Sequence, residues 1–417
     1  MTLAPAYGAE SPIAELLEPE DLLPIAERRL VGNYRQASFV LERGKGCELW
    51  DTEGRRYLDF CAGVAVCSLG HAHPRLVAAI AEQAARLMHV SNYFYNAENA
   101  RLADELCKKS GMDRAFFCNS GAEANEAMLK LARRFFFTRG EPDRYRVIAF
   151  DNAFHGRTLG AVALTGTPKY REGFGPPLAG VTHVPYGDLD AVKAAMGPDV
   201  AAIFVEPVQG EGGVIPPPKG FLPGLRSLCD AHGALLCLDE VQTGIGRTGT
   251  FLGSEHDGVE GDAIALAKGL GGGFPIGALL IKERLNSALT PGTHGSTFGG
   301  NPLASRAART VLAVLDEEKL MEGAVTKGQR LAEGLAALAK EHPALCVGQR
   351  GRGLLQGLTL AQGVDTRAVL GRARAHGLLL TVAGATTLRY TPPLVVSEAE
   401  IDEAIAITGR VLAEMKP

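Results

Sequence analysis

AFFCNSGAEANEAMLKLARRFFF, residues 115–137, reads as a strand, a tight turn and a helix in immediate succession. Ala115 to Cys118 is a short apolar run. From Glu123 to Phe137 the apolar positions recur at helical spacing, with Ala127, Leu131, Arg134 and Phe135 near one stripe. Further runs at Arg146 to Phe150, Ala201 to Val205 and Ala234 to Leu238 have the continuous apolar character of strands buried on both faces, and Leu222 to His232 is a second helical pattern. Strands alternating with helices predict an α/β domain around a mostly parallel sheet.

The ends read differently. Val40 to Asp51, with Tyr57 to Phe60, suggests an antiparallel meander turning at Gly44, Gly46 and Gly54. After Pro302 a helical stretch runs to about Lys340, broken only by Gly323, Gly328 and Gly334. The tail from Gly353 reads as strand, helix, strand, helix, the last starting at Ser397, where Ser-Glu-Ala-Glu offers a capping box. We therefore expect a large domain at 76–305 and a smaller α+β domain assembled from 1–75 and 306–417.

Composition narrows the partners. The 417 residues are 46% hydrophobic and 22% charged, which is ordinary globular material, and a net charge of -4 gives no reason to expect nucleic acid or an anionic membrane. No apolar run reaches the roughly eighteen residues of a membrane helix. The first thirty residues carry Glu10, Glu15, Glu18, Glu20, Asp21 and Glu27 before the first basic residue, Arg28, unlike a secretory or mitochondrial leader. Eight scattered cysteines without a CxxC pair suit a reducing compartment, so a cytoplasmic protein is expected. His71 and His73 form an HxH pair with no further ligand at suitable spacing; a turn role is expected there, and no metal.

Chemistry enters with IALAKGLGGGFPIG, residues 264–277, where Lys268 stands between an apolar run and a glycine cluster. A buried amine loses ammonium character relative to the ordinary pKa of about 10.4 and is freed to attack carbonyls. A lysine whose stem is buried and whose head reaches water is the competing explanation. Asp239 ends the run ALLCLDE, at the carboxyl end of a strand, where ligands collect in open parallel sheets. It reads either as a helix cap or as the partner of a protonated ring nitrogen beside an imine-forming lysine. Ser120, Gly121 and Ala122 open a helix after a strand, which is either an ordinary cap or a seat for phosphate. GIGRTG, residues 244–249, satisfies GxGxxG, but no helix opens at Gly249, and we read it as a loop.

Together SGAEANEAMLKLAR, AFHGRTLG, EPVQGEGGV, LDEVQTGIGRTG, LAKGLGGGFPIGA and HGSTFGGNPLA closely resemble the class III, or ornithine-type, aminotransferases, over Tyr34 to Pro393. The resemblance implies the type I fold of transferases dependent on pyridoxal 5'-phosphate, and a homodimer with shared active sites. It further implies that Lys268 carries the cofactor and shuttles a proton, that Asp239 pairs with the ring nitrogen, and that Phe154 and Val241 flank the ring. Gln242 would contact its phenolic oxygen. Ser120, Gly121 and Ala122 would hold the phosphate, helped by Thr297 from a partner subunit. Arg157 and Arg389 would clamp substrate carboxylates, Glu211 would neutralise Arg389 while the first substrate is bound, and Tyr34, Val64 and Ser296 would lie against substrate. An ion pair between Glu211 and Arg389 that is only structural is equally consistent with the sequence.

Within the family, SNYFYNAENA with HGSTFGGNPLA is similar to the branch that takes N2-acetylornithine as donor and 2-oxoglutarate as acceptor, whose members often accept N-succinyl-diaminopimelate as well. Ornithine, succinylornithine and 4-aminobutyrate are the alternative donors. Val64 stands where the ornithine branch carries a tyrosine, leaving room for an acyl cap. One neutral hydrogen bond is worth about 0.5–1.5 kcal/mol, so that position tilts the choice by roughly tenfold at most. A non-catalytic binding protein on the same fold would be expected to lack the lysine or the aspartate; both are present.

Overall fold

The computed structural model describes residues 22–415. The acidic stretch from Glu10 to Asp21, on which the expectation of no leader rests, lies outside the described residues. The meander forms as β1 (Leu41–Lys45), β2 (Glu48–Asp51) and β3 (Arg56–Asp59), all antiparallel. Its turns fall at Gly46 and Gly54, at φ 58° and 78°. Gly44, expected in a turn, pairs instead with Leu49 inside β1. A Cβ there would sit 2.7 Å from His71 Cβ, so this glycine serves close packing. His71 Nε2 lies 2.8 Å from Asp59 Oδ2, and His73 stands at the N-cap position of the helix Pro74–Arg86 without a side-chain capping bond.

The central sheet has seven strands: β4 (Arg114–Cys118), β5 (Arg146–Phe150), β6 (Val181–Val184), β7 (Val200–Val205), β8 (Leu235–Asp239), β9 (Ala263–Leu266) and β10 (Gly277–Ile281). Their spatial order is β4-β10-β9-β8-β7-β5-β6. The ladders from β6 through β5, β7 and β8 to β9 are parallel, while β10 runs antiparallel to both neighbours, so the sheet is mostly parallel as expected. Every residue of β7, β8, β9 and β10 is buried, which accounts for their unbroken apolar sequence. The opening βα unit is observed as β4 followed by the helix Gly121–Thr138.

The C-terminal sheet contains β11 (Cys346–Arg352), β12 (Leu355–Leu360), β14 (Thr381–Ala383) and β15 (Thr387–Tyr390), in the order β11-β12-β15-β14. Between them β13 (Leu378–Leu379) leaves this sheet and pairs in parallel with β3, joining the two ends of the chain. The helix Glu398–Glu414 starts at the anticipated capping box, with Ser397 Oγ accepting from Glu400 N and Glu400 reaching back to Ser397 N.

The long helical stretch divides into Pro302–Glu317 and Leu320–Glu341, and the glycines do not cause the break. It falls at Lys319, whose φ of 51° ends the helical path. Gly328 lies inside the second helix because a Cβ there would meet Gly353 O at 2.2 Å; the glycine permits a close crossing. The GIGRTG segment is a buried loop, and Arg247 Nη1 within it donates to Leu354 O at 3.1 Å and Pro392 O at 2.5 Å, fastening the central sheet's loops to the C-terminal strands. Among the described residues no helix is long and apolar enough to cross a membrane.

Candidate active site

Two adjacent parallel strands bring the amine and the acid together. Asp239 closes β8 in register with Ala265 of β9, and β9 leads directly into Lys268. Both line a cavity of about 390 Å³ at the carboxyl ends of the strands. Lys268 has a φ of 46°, a left-handed conformation costly for a side-chain-bearing residue, of the kind that accumulates where function fixes a direction. Burial lowers its pKa from the ordinary 10.5, and Arg389 adds to this, while Glu211, Asp239 and Glu206 oppose it. Its position in the cavity lining and the burial that lowers its pKa argue against the solvated-surface explanation, and among the described residues its amine has no hydrogen-bond or ion-pair partner.

Asp239 is braced rather than capping. Its Oδ2 accepts from Asn125 Nδ2 at 2.7 Å and sits 2.7 Å from His155 Nδ1, and its Oδ1 accepts from Val241 N at 3.0 Å. Burial opposes a charged His155, yet the hydrogen bond and charge of Asp239, with Glu206 behind, together raise its pKa. Glu206 is itself buried, which pushes its pKa up to about 7. Its carboxylate accepts from Phe154 N and Gly210 N, both at 3.0 Å, so it ties the aromatic wall of the cavity to the loop carrying Glu211.

Asn125, His155 and Glu206 were not singled out by the sequence reasoning. His155 lies inside AFHG and Glu206 inside EPVQGEGGV, where neighbouring residues drew the attention. Asn125 carried a usable signal, as a polar residue beside the apolar stripe of its helix.

Ser120, Gly121 and Ala122 line the same cavity. Ser120 is a helix cap, accepting from Glu123 N at 3.2 Å. The N–H groups of Gly121 and Ala122 precede the first intrahelical bond, from Ala124 N to Ser120 O, and remain available to an anion. The cap and the phosphate readings are thus compatible. Gly121 is required by space: a Cβ there would lie 2.6 Å from Val241 Cγ1.

Phe154, Val241, Gln242 and Arg157 also face this cavity. Arg389, 2% exposed, forms an ion pair through Nη1 with Glu211 Oε1 and donates to Gln242 Oε1 at 3.1 Å; its Nε donates to Thr381 Oγ1 at 3.1 Å. Arg389 opposes the burial of Glu211, and with Lys268 it holds that carboxyl below its ordinary pKa. Arg157 differs, for no carboxylate pairs with it among the described residues.

Six expected site residues are not on the cavity wall: Glu211 and Arg389, which are joined to it through Gln242, and four others. Tyr34 is 75% exposed beside a separate groove. Val64 lies in the left-handed turn Ala62–Ala65 at φ 66°, a strained conformation for a β-branched residue, while nearby Val66 reaches the cavity. Ser296 Oγ accepts from Gly299 N at 2.9 Å, and Thr297 is exposed.

A buried amine beside a braced carboxylate can form imines with carbonyl compounds and relay protons, and the cations around it select acids. On a mostly parallel α/β sheet this defines an enzyme of amine and carbonyl chemistry. Residues 31–412 match the model of the class-III aminotransferases. The chain is 52% identical to an acetylornithine aminotransferase of Myxococcus xanthus, over 91% of this chain and 95% of that one. It also resembles the N-acetylornithine aminotransferase structure from Stenotrophomonas maltophilia, at 39% identity and TM-score 0.81, covering 94% and 98% of the two chains. For the ornithine aminotransferase from Toxoplasma gondii the values are 36% and 0.92, with 96% of each chain covered. The chain belongs to the class-III aminotransferases, enzymes of the type I fold that depend on pyridoxal 5'-phosphate.

Proposed function

We propose that this protein transfers the terminal amino group of N2-acetylornithine to 2-oxoglutarate, giving N-acetylglutamate 5-semialdehyde and glutamate, as a step of arginine biosynthesis. N-succinyl-diaminopimelate is a secondary donor. The observation that carries the reading is the asymmetry of the two arginines: among the described residues Arg157 pairs with no carboxylate, whereas Arg389 is matched by Glu211. Acetylornithine presents one carboxylate and a neutral amide, so one free cation serves it. Glutamate presents two, and the second finds a cation only when Glu211 moves away. Arginine suits both tasks because its planar fork grips a carboxylate bidentately and keeps its charge.

The cavity lining suits pyridoxal 5'-phosphate: Ser120, Gly121 and Ala122 would hold the phosphate, Phe154 and Val241 the ring faces, Gln242 the phenolic oxygen, Asp239 the ring nitrogen and Lys268 the aldehyde carbon. When bound, the cofactor supplies an electron sink for charge developing on the substrate carbon. Asp239, braced by Asn125 and His155, keeps a proton on the ring nitrogen. Lys268 Nζ takes the proton from the terminal carbon of the donor and later delivers one to the α carbon of glutamate.

Thr297 completes the phosphate site of a second copy, with Ser296 and Tyr34 near substrate, in a homodimer. The exposed side chains of Tyr93, Phe94, Tyr95 and Phe298 support that assembly. The large domain is assigned to 76–305 and the smaller one to 1–75 and 306–417. Cysteines left free throughout, with those at 47, 61, 67, 118, 229 and 237 held above the ordinary thiol pKa by burial, support a cytoplasmic location.

Ornithine as donor is the second reading, favoured by the structural likeness to the Toxoplasma gondii enzyme. Mixing the holoenzyme with N2-acetylornithine, ornithine, N-succinylornithine and 4-aminobutyrate separately, and following the cofactor's absorbance, decides between them. N2-Acetylornithine should react fastest; a faster reaction with any other donor rejects the proposal.

A further inference from the structure

Among the described residues Arg157 has no acid to hold it, yet it is not adrift. Its guanidinium carbon lies 3.9 Å from the centre of the Tyr170 ring and 5.5 Å from that of Phe154. The two rings meet edge to face, 6.0 Å apart and inclined by 87°. Tyr170 ends a short turn, Pro168–Tyr170, closed by Tyr170 N donating to Thr167 O at 3.1 Å and Arg171 N donating to Pro168 O at 2.9 Å. Arg171 in turn lies 3.2 Å from His183 Nδ1 on β6, so the turn is anchored to the central sheet.

We infer that Tyr170 is a positioning residue for substrate carboxylates, acting through Arg157. The inference rests on the reading of Arg157 as the cation that binds them. A ring attracts a guanidinium through its face, whereas a carboxylate is gripped through N–H groups in the guanidinium plane. The two interactions use different directions, so Tyr170 fixes the fork without occupying it. A carboxylate in place of Tyr170 would also fix the arginine, but it would neutralise the charge the substrate needs. The aromatic contact leaves the charge intact and reduces the freedom Arg157 loses when substrate arrives. Because Tyr170 also abuts Phe154, the same ring aligns carboxylate recognition with the wall expected against the cofactor.

The test uses purified holoenzymes of the wild type, Tyr170→Phe, Tyr170→Leu, Tyr170→Gln and Arg157→Leu, with kcat and KM measured for both N2-acetylornithine and 2-oxoglutarate. Tyr170→Leu should raise KM for both substrates about two- to fivefold, the range of a cation–π contact at an exposed arginine, while kcat and the cofactor absorbance stay unchanged. Tyr170→Phe keeps the ring face and should restore the wild-type KM. Tyr170→Gln, of similar reach but without a ring, should raise KM in the same way and replaces the leucine variant if that one does not fold. Unchanged KM values in the ringless variants, a fall in kcat alone, or equal damage in Tyr170→Phe overturns the inference. Arg157→Leu separates the two levels. If it raises KM while the ringless Tyr170 variants do not, only the inference fails; if it too leaves KM unchanged, the carboxylate-binding reading of Arg157 fails.

Discussion

Glu211→Ala exposes the logic of using one site for two acids. Among the described residues it leaves Arg389, 2% exposed, with Gln242 Oε1 and Thr381 Oγ1 as hydrogen-bond acceptors, each at 3.1 Å. For acetylornithine, the uncompensated cation competes with Arg157 for a single carboxylate and draws the donor out of register. For glutamate the change is favourable, because no ion pair has to be opened before the second carboxylate binds. Exposed ion pairs contribute about 0–1 kcal/mol, and breaking a buried one costs about 3–5 kcal/mol. This pair lies between those limits, since the Glu211 side chain remains 26% exposed. About 1–3 kcal/mol converts to a roughly five- to 150-fold rise in the preference for glutamate over acetylornithine. Rapid-mixing half-reactions with each amino acid give kcat/KM for both, and their ratio is the readout. A ratio within about twofold of the wild type would refute the switch and leave the pair a structural contact.

Asp239→Asn puts an amide where Asn125 and His155 both approach, and it should slow either half-reaction by roughly 10²–10³-fold or more, the scale for deleting a preorganised electrostatic group; steady-state rates at saturating cofactor test this. Gly121→Ala places a Cβ 2.6 Å from Val241 Cγ1, so cofactor titration should show weakened binding that Val241→Ala partly restores. The folded-state pKa of Lys268 lies below its ordinary 10.5, so the unfolded chain holds the extra proton between those two values, and folding gains stability as pH rises through that window. In cofactor-free protein, urea unfolding should show the wild type gaining on Lys268→Met as pH rises towards 10.5, whereas a pH-independent difference would contradict the burial of the amine.

The sheet was legible because its strands are buried on both faces and leave unbroken apolar runs, as at Arg146 to Phe150, and because the helix Gly121–Thr138 starts at a residue that can cap it. Its local signals and its tertiary role agree. Lys268 and Asp239 were legible for a related reason: charged residues at the ends of such runs have nowhere else to go. The antiparallel course of β10 was not, since a run buried on both faces carries no mark of direction. The break at Lys319 was hidden by Gly323, Gly328 and Gly334, which look like interruptions but permit close packing at Gly328 and Gly334. Asn125, His155 and Glu206 escaped because what distinguishes them is their relation to Asp239 and to one another across three different elements. Tyr170 escaped similarly: only the fold sets its ring on Arg157.

Everything proposed for the site depends on Lys268 being the amine that engages the cofactor. Borohydride makes a reversible carbon–nitrogen link permanent, so the holoenzyme can be reduced, digested and mapped by mass spectrometry. The reduced cofactor should be found on the peptide containing Lys268, and Lys268→Ala should show neither the adduct nor turnover. An adduct on a different lysine, or a Lys268→Ala enzyme that still exchanges amino groups, would contradict it.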